Sequence, residues 1–243
     1  MKRKAVLVCN NDASGATHDI DKWRKYLLSG GGGAWVDGEI ERLVNPTLTH
    51  LTSTLERVKR ENNDFVIAVF AGHGEWERTT LLEINPQGEE VSETAFNNLS
   101  TREIVCLDCC RGVNRLTESS VEAELRMFSA NQMDSLRQAY DNRMMQAYPQ
   151  QVNLYACKVG QCAYGDNNGG FYTNNLIEAA HDFLPNSNFQ TINRAHNIAA
   201  PQTTIETRLR EGALQEPEMA EGRCVTNRQL IIGVSTKMFR IMG

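Results

Sequence analysis

The chain opens on a short apolar run, Ala5-Val6-Leu7-Val8-Cys9, and the pattern returns at 65–70, 104–107 and 152–157. Phe65-Val66-Ile67-Ala68-Val69-Phe70 and Ile104-Val105-Cys106-Leu107 contain no charged residue. Continuous runs of this length suit strands buried on both faces, as in a parallel sheet covered by helices. A weaker strand is expected over 39–44 and a last one over 230–234. Leu48, Leu51, Leu55 and Val58 recur at helical spacing and predict a helix over 48–60. Further helices are expected over 19–28, closed by Ser29 and the glycines Gly30 to Gly33, and over about 171–183 and 189–199. Residues 116–148 are polar, Met-rich and helix-permissive, with Leu125, Phe128, Met133, Leu136 and Tyr140 as scattered anchors. They read as an insertion or linker with helical content, and 200–227 reads as loop. The pattern as a whole predicts an α/β fold, a mostly parallel sheet with helices on both faces. In such sheets the ligand crevice lies beyond the C-terminal strand ends, so functional residues should follow directly on the apolar runs.

The 243 residues suffice for one large domain or two small ones. A net charge of −5 weighs against a general nucleic-acid-binding surface. No run approaches the roughly 20 apolar residues that span a bilayer. The start, Met1-Lys2-Arg3-Lys4 and then Ala5 to Cys9, imitates a signal peptide but breaks at Asn10-Asn11-Asp12, so it is read as a buried strand. Seven cysteines are an odd number, which excludes a full intramolecular disulfide framework. Reduced thiols in a cytoplasmic setting are the expectation.

Two segments pass the strand-end test together. Ala71-Gly72-His73-Gly74-Glu75 follows the run at 65–70, and Asp108-Cys109-Cys110-Arg111-Gly112 follows the run at 104–107. A histidine and a cysteine thus fall at the same edge of the sheet, flanked by glycines that let the backbone turn. Thiol catalysis needs this set: a thiolate attacks a carbonyl, an imidazole protonates the leaving amine, and backbone N–H groups stabilise the oxyanion. Cys106 and Cys109 also form a Cys-x-x-Cys. A zinc site would want a second such pair, and Cys157 and Cys162 are too far apart for it, so no metal is assigned. Gly30 to Gly33 end a helix and lack a following Lys-Ser or Lys-Thr, so they are not a phosphate loop.

At these residues the chain resembles the caspase, metacaspase and paracaspase group. His73-Gly74 after one strand and Cys110-Arg111-Gly112 after the next match that group's signature, a form of which is Gln-Ala-Cys-Arg-Gly. Aligning the two places the nucleophile at Cys110 rather than Cys109. Asp108, two residues earlier, is the metacaspase and paracaspase form, where true caspases carry glutamine. The segment from Tyr155 to Asp166 is similar to the metacaspase loop after the fifth strand, and Gly169-Gly170-Phe171 opens a helix as in that group.

The resemblance implies a caspase-like three-layer sandwich of about six strands, one domain over 1–243. It divides into a large-subunit-like part (1–114), a linker (115–150) and a small-subunit-like part (151–243). It implies a cysteine endopeptidase with His73 and Cys110 as catalytic residues and the Gly74 and Cys110 N–H groups as oxyanion hole. Asp108 would floor the specificity pocket, with Asp12, Asp19 and Asp166 as further acids for a substrate Arg or Lys. The partner is then a protein or peptide with a basic residue before the scissile bond, not nucleic acid and not membrane. The chemistry needs no cofactor; calcium activation occurs in part of the group, and no acidic cluster in the sequence supports it here. A linker after the nucleophile strand is often cut in that group, and Arg115, Arg126, Arg137 and Arg143 offer sites within 115–149. A stable, uncut helical insertion is the other reading. The rival function is a catalytically silent caspase-like module that binds a partner; a nucleotide-binding domain stands third.

Overall fold

A computed structural model describes residues 1–112 and 130–239. The apolar runs all become strands. In chain order, the first part holds β1 (Arg3–Cys9), α1 (Ala16–Leu28), β2 (Ile40–Val44), α2 (Leu48–Arg60), β3 (Phe65–Ala71), β4 (His73–Trp76), β5 (Thr80–Glu83), β6 (Glu90–Ser92) and β7 (Arg102–Asp108). After 113–129 come α3 (Ala130–Met145), β8 (Gln150–Tyr155), β9 (Gly165–Asp166), β10 (Gly169–Gly170), α4 (Phe171–Ala179), β11 (Phe189–Thr191), α5 (Ile192–Glu211), β12 (Glu218–Glu221) and β13 (Ile231–Val234).

The main sheet has six strands in the order β12-β8-β7-β3-β1-β2. Five run parallel and β12 pairs antiparallel with β8. Each central strand is buried on both faces because alternate residues enter different cores. Leu7, Val69 and Cys106 pack with α1, α3, α4 and α5, through residues such as Trp23, Tyr140, Leu176 and Ala195. Val8, Phe70 and Leu107 pack with Leu51, Leu55 and Val58 of α2 and with Leu82 of the small sheet β4-β5-β6. That is the physical content of a continuous apolar run: no side is left for polar residues. The strand order reverses between β1 and β3, so the crevice beyond their C-terminal ends is the expected ligand site.

Three expectations change. The run at 230–234 does form a strand, but β13 pairs with β11 in a separate two-stranded sheet. The sixth strand of the main sheet is β12, inside the stretch read as loop. Its Glu218-Met219-Ala220-Glu221 shows no apolar run because an edge strand keeps one side in water, where charges prevent further pairing. The helix expected over 189–199 begins as a strand at 189–191, is capped by Thr191, whose Oγ1 accepts from the Arg194 N–H at 3.3 Å, and continues to Glu211. Pro201 lies inside it. Proline there withholds one hydrogen bond, from the carbonyl of Asn197, and Asn197 is exposed so that water takes its place. Burial of Ala199, Thr203 and Thr207 keeps the helix going.

Helix α3 lies within the segment read as insertion or linker. Leu136, Tyr140 and Met144 are buried in the main core, each contributing about 1.5–3 kcal/mol by the usual scale of apolar burial. Buried Arg3 ties the helix to β1: it donates to Asp141 at 2.8 Å and lies 4.5 Å from the Trp35 ring. Arg137 pairs with Glu39, and Arg143 donates to the Gln229 carbonyl at 3.2 Å. Arg115 and Arg126 lie outside the described residues. Among the described residues no helix is long and apolar enough to cross a membrane.

Candidate active site

Strand β3 delivers His73 and strand β7 delivers Cys110 to one edge of the sheet. The two strand ends are stitched to each other and to β1: Gly72 N–H donates to the Asp108 carbonyl at 3.1 Å, and Asn10 N–H to the Ala71 carbonyl at 3.1 Å. His73 then begins β4, which folds back on β5 in an antiparallel hairpin. Sequence reading missed this hairpin because its residues are mixed and its strands are four residues long.

Gly74 is required by space. A Cβ built there would lie 2.6 Å from the Cys110 carbonyl oxygen and 2.7 Å from Cys109 Sγ. The histidine hairpin and the cysteine loop therefore touch backbone to backbone, and the two residues expected to supply the oxyanion hole, Gly74 and Cys110, are brought side by side. Arg111 locks the same junction. Its guanidinium lies between the Trp76 and Tyr155 rings, 5.0 and 4.1 Å from their centroids. It donates to Thr80 Oγ1 at 3.1 Å and to Glu218 at 3.0 Å, so one buried side chain spans the hairpin, β8 and β12. In the loop, Arg111 N–H donates to the Gln161 carbonyl at 2.9 Å, and Gly160 N–H to the Arg111 carbonyl at 2.8 Å.

Of the adjacent cysteines, Cys109 is 2% exposed and packs in the core that holds α2, whereas Cys110 is half-buried. Cys110 Sγ reaches the Ala163 carbonyl at 3.7 Å and is hydrogen-bonded to the Cys162 thiol. That bond and then burial push the Cys110 thiol well above its ordinary range. Burial does the same to Cys106 and Cys109. Cys106 belongs to the core on the opposite face of the sheet from Cys109, so the Cys-x-x-Cys cannot close on a single ion.

His73 and Cys110 both border a cavity of about 360 Å³, together with Asp12, Asp19, Asp108 and Glu211. Among the described residues, no lysine or arginine lines it. Asp108 is buried, 6% exposed, accepting from Thr173 N–H at 3.2 Å and Thr173 Oγ1 at 2.6 Å. Burial raises its carboxyl above the usual range, and the Thr173 bonds oppose that. Asp19 accepts from Gly170 N–H at 2.9 and 3.0 Å. Side chains at Gly169 or Gly170 would collide with these acids: a Cβ would stand 2.0 Å from Asp19 Oδ1 and 2.3 Å from Asp108 Oδ2. Asp166 is placed differently. It is not among the cavity residues; its carboxylate takes Arg210 at 3.0 Å and the Asn168 N–H at 2.8 Å.

Sequence reading missed Glu211 and Cys162. Glu211 was hidden because the helix is expected only to residue 199 and 200–227 as loop, although the later Gly212, left-handed at φ 64°, and the basic last turn of Arg208 and Arg210 signal a helix end there. Nothing in the spacing of Cys162 marks it as a neighbour of Cys110. Of the other histidines, His196 is buried against the Tyr172 hydroxyl at 2.7 Å, and His18 is exposed outside the cavity.

No family model and no curated protein matches the sequence. In three dimensions the chain resembles the crystal structure of caspase-1 from Spodoptera frugiperda, with TM-score 0.60, 12% identity, and coverage of 96% of this chain and 90% of that one. The fold is caspase-like. A protein of Geobacter sulfurreducens is similar to the same degree, with TM-score 0.60, 11% identity, and coverage of 95% of this chain and 97% of that one. At such identities the likeness carries the fold alone. The chemistry of this caspase-like chain rests on its own residues.

Proposed function

We propose that the protein is a cysteine endopeptidase that cleaves after arginine or lysine, on the metacaspase and paracaspase side of the caspase-like fold. The observation that carries this reading is a cavity bordered by His73 and Cys110 that, among the described residues, is lined by four carboxylates and by no lysine or arginine. Cys110 passes its proton to His73 as the thiolate attacks the scissile carbonyl. The Gly74 and Cys110 N–H groups receive the oxyanion, and His73 protonates the leaving amine. Water, deprotonated by His73, then releases the acyl group from Cys110. Because the empty site favours the neutral thiol, proton transfer belongs to the substrate-bound step, when the peptide enters between Cys110 and its present partners.

Asp108 and the further acids Asp12, Asp19 and Glu211 favour a cationic side chain in the cavity. Asp108 stands where a true caspase has glutamine, and among the described residues no lysine or arginine lines the cavity to hold an acidic side chain. Seven cysteines cannot all pair within one chain, which suits a reducing compartment.

The test is turnover of matched fluorogenic peptides ending in Arg, Lys or Asp by wild type, Cys110→Ala, Cys109→Ala and His73→Ala. Wild type should cut after Arg and Lys, Cys109→Ala should retain most of that rate, and Cys110→Ala should lose it. His73→Ala should lose roughly 10² to 10⁴ in turnover. Preference for Asp overturns the pocket assignment, and a fully active Cys110→Ala overturns the mechanism. A folded wild type with no turnover on any peptide leaves the chain as a binding module.

A further inference from the structure

Cys162 has no part in the mechanism above, yet it sits beside the reacting sulfur. Two backbone hydrogen bonds hold its loop along the nucleophile loop, Arg111 N–H to the Gln161 carbonyl at 2.9 Å and Gly160 N–H to the Arg111 carbonyl at 2.8 Å. One residue back from Arg111 is Cys110, and one residue on from Gln161 is Cys162. The two thiols are hydrogen-bonded, and Cys110 Sγ also reaches Ala163 O at 3.7 Å, the carbonyl that follows Cys162. Both residues are partly exposed, whereas Cys9, Cys106, Cys109 and Cys157 are buried. The other nearby thiol, Cys157, donates to the Cys109 and Gln161 carbonyls at 3.5 and 3.3 Å.

We propose that Cys110 and Cys162 form a reversible disulfide, written by peroxide and erased by thiols, that closes the site. The inference rests on Cys110 being the nucleophile. Cys110 gives its proton to His73 as its sulfur attacks peroxide: the O–O bond breaks, Cys110 becomes a sulfenic acid, and the departing hydroxide takes the proton back from His73 and leaves as water. Cys162 sulfur then attacks the sulfenic sulfur. The S–O bond breaks, the S–S bond forms, and a second water leaves with the Cys162 proton. The two cysteines lose two electrons and the peroxide gains two. A dithiol reductant reverses the step through a mixed disulfide and leaves oxidised itself. Cys162 thereby diverts Cys110 from the irreversible sulfinic acid that a solitary oxidised cysteine reaches.

Trypsin makes the linkage readable. Cuts at Arg102, Arg111, Arg143, Lys158 and Arg194 put Cys110 in 103–111, Cys157 in 144–158 and Cys162 in 159–194. Native protein is treated with equimolar hydrogen peroxide, blocked with iodoacetamide, digested without reduction and analysed by mass spectrometry with fragmentation. The expected product joins 103–111 through Cys110 to 159–194. A link to 144–158 instead, or Cys110 sulfinic acid with no link, overturns the proposal. In parallel, enzyme treated with an excess of peroxide is returned to dithiothreitol and assayed. Wild type should recover, and Cys162→Ala should recover about tenfold less because its Cys110 proceeds along the oxidation ladder; equal recovery overturns the proposal. Linkage in a protein without turnover would leave the disulfide standing and overturn the peptidase reading. Turnover without linkage would do the reverse.

Discussion

Gly74→Ala is the substitution that tests whether the contact between the histidine hairpin and the cysteine loop sets the geometry of the pair. The added methyl would start 2.6 Å from the Cys110 carbonyl oxygen and 2.7 Å from Cys109 Sγ, where ordinary contact begins at 3.4 Å. The cysteine side of this gap has little freedom. Arg111 is fixed by Gln161, Thr80 and Glu218, and Cys109 is packed in the core. The hairpin must therefore yield, and it carries His73 with it. Overpacking of this kind costs about 1–3 kcal/mol of stability; for a domain of this size, that lowers Tm by roughly 2–12 °C. The effect on turnover should be larger than the stability loss alone implies. A displacement approaching ~1 Å between reacting groups costs about 10²-fold, equivalent to ~2.7 kcal/mol of transition-state stabilisation. Purified wild type and Gly74→Ala are compared for Tm by calorimetry and for kcat and KM on one arginine peptide, well below the lower Tm. The expectation is a fall in kcat with little change in KM, because Asp19 and Asp108 are held by Gly170 and Thr173 rather than by the hairpin. Wild-type kcat with a lowered Tm would show that the hairpin does not position the imidazole.

Asp108→Asn removes the charge that a guanidinium would meet, and loss of a buried charge partner should lower kcat/KM for arginine peptides by about 10²- to 10³-fold, leaving a citrulline peptide nearly unaffected; equal losses on both would sink the pocket reading. Since burial holds the Asp108 carboxyl above its usual range and cation binding needs it ionised, KM for arginine peptides should rise as pH falls through that raised pKa, and this limb should vanish in Asp108→Asn. The folded state binds the Asp108 proton more tightly than the unfolded state, so this group's contribution to stability is present below its unfolded pKa and is lost as pH rises through its folded pKa; Asp108→Asn should consequently be no less stable than wild type near neutrality, which separates lost binding from unfolding. If the chain processes itself, the junction should map to Arg115 or Arg126 and not to Arg137 or Arg143, since a peptidase needs an extended segment and α3 is held by three buried side chains and by Arg137 to Glu39. N-terminal sequencing of the fragments decides this, with Cys110→Ala expected to stay whole.

The parts of the fold that were legible in the sequence are those whose burial is two-sided. The strands β1, β3, β7 and β8 and the helix α2 declare themselves because packing on both sheet faces, or along one helix stripe, leaves a run of apolar letters. Strand β12 and the hairpin β4-β5 carry no such record, since their stability comes from pairing with neighbours distant in sequence. Helix α5 is expected only to residue 199, because the buried face that carries it further, Ala199, Thr203 and Thr207, leaves no apolar run in the sequence. The site divides in the same way. His73, Cys110 and Asp108 follow directly on buried strands and could be read from their position. Glu211 and Cys162 arrive from a helix end and a loop, and only the folded chain puts them beside the others.

The two nearest acids of the cavity are not equivalent, and the difference bears on how a basic substrate would be taken in. Asp19 accepts both backbone bonds offered by Gly170 N–H, which joins helix α1 to the loop that opens α4. Removing its carboxylate would loosen the wall as well as change the charge. Asp108 is buried, and only Thr173 opposes the rise in its pKa. An empty cavity therefore holds a carboxyl inclined to keep its proton, which spares the protein an uncompensated buried charge. Under the proposed specificity, entry of a guanidinium would supply the missing counter-charge and favour ionisation, and a neutral side chain of the same length would gain nothing from it. Discrimination for arginine over its uncharged isostere would then arise from a carboxyl whose pKa burial has raised, with Asp12 and the exposed Glu211 adding negative charge at the cavity rim.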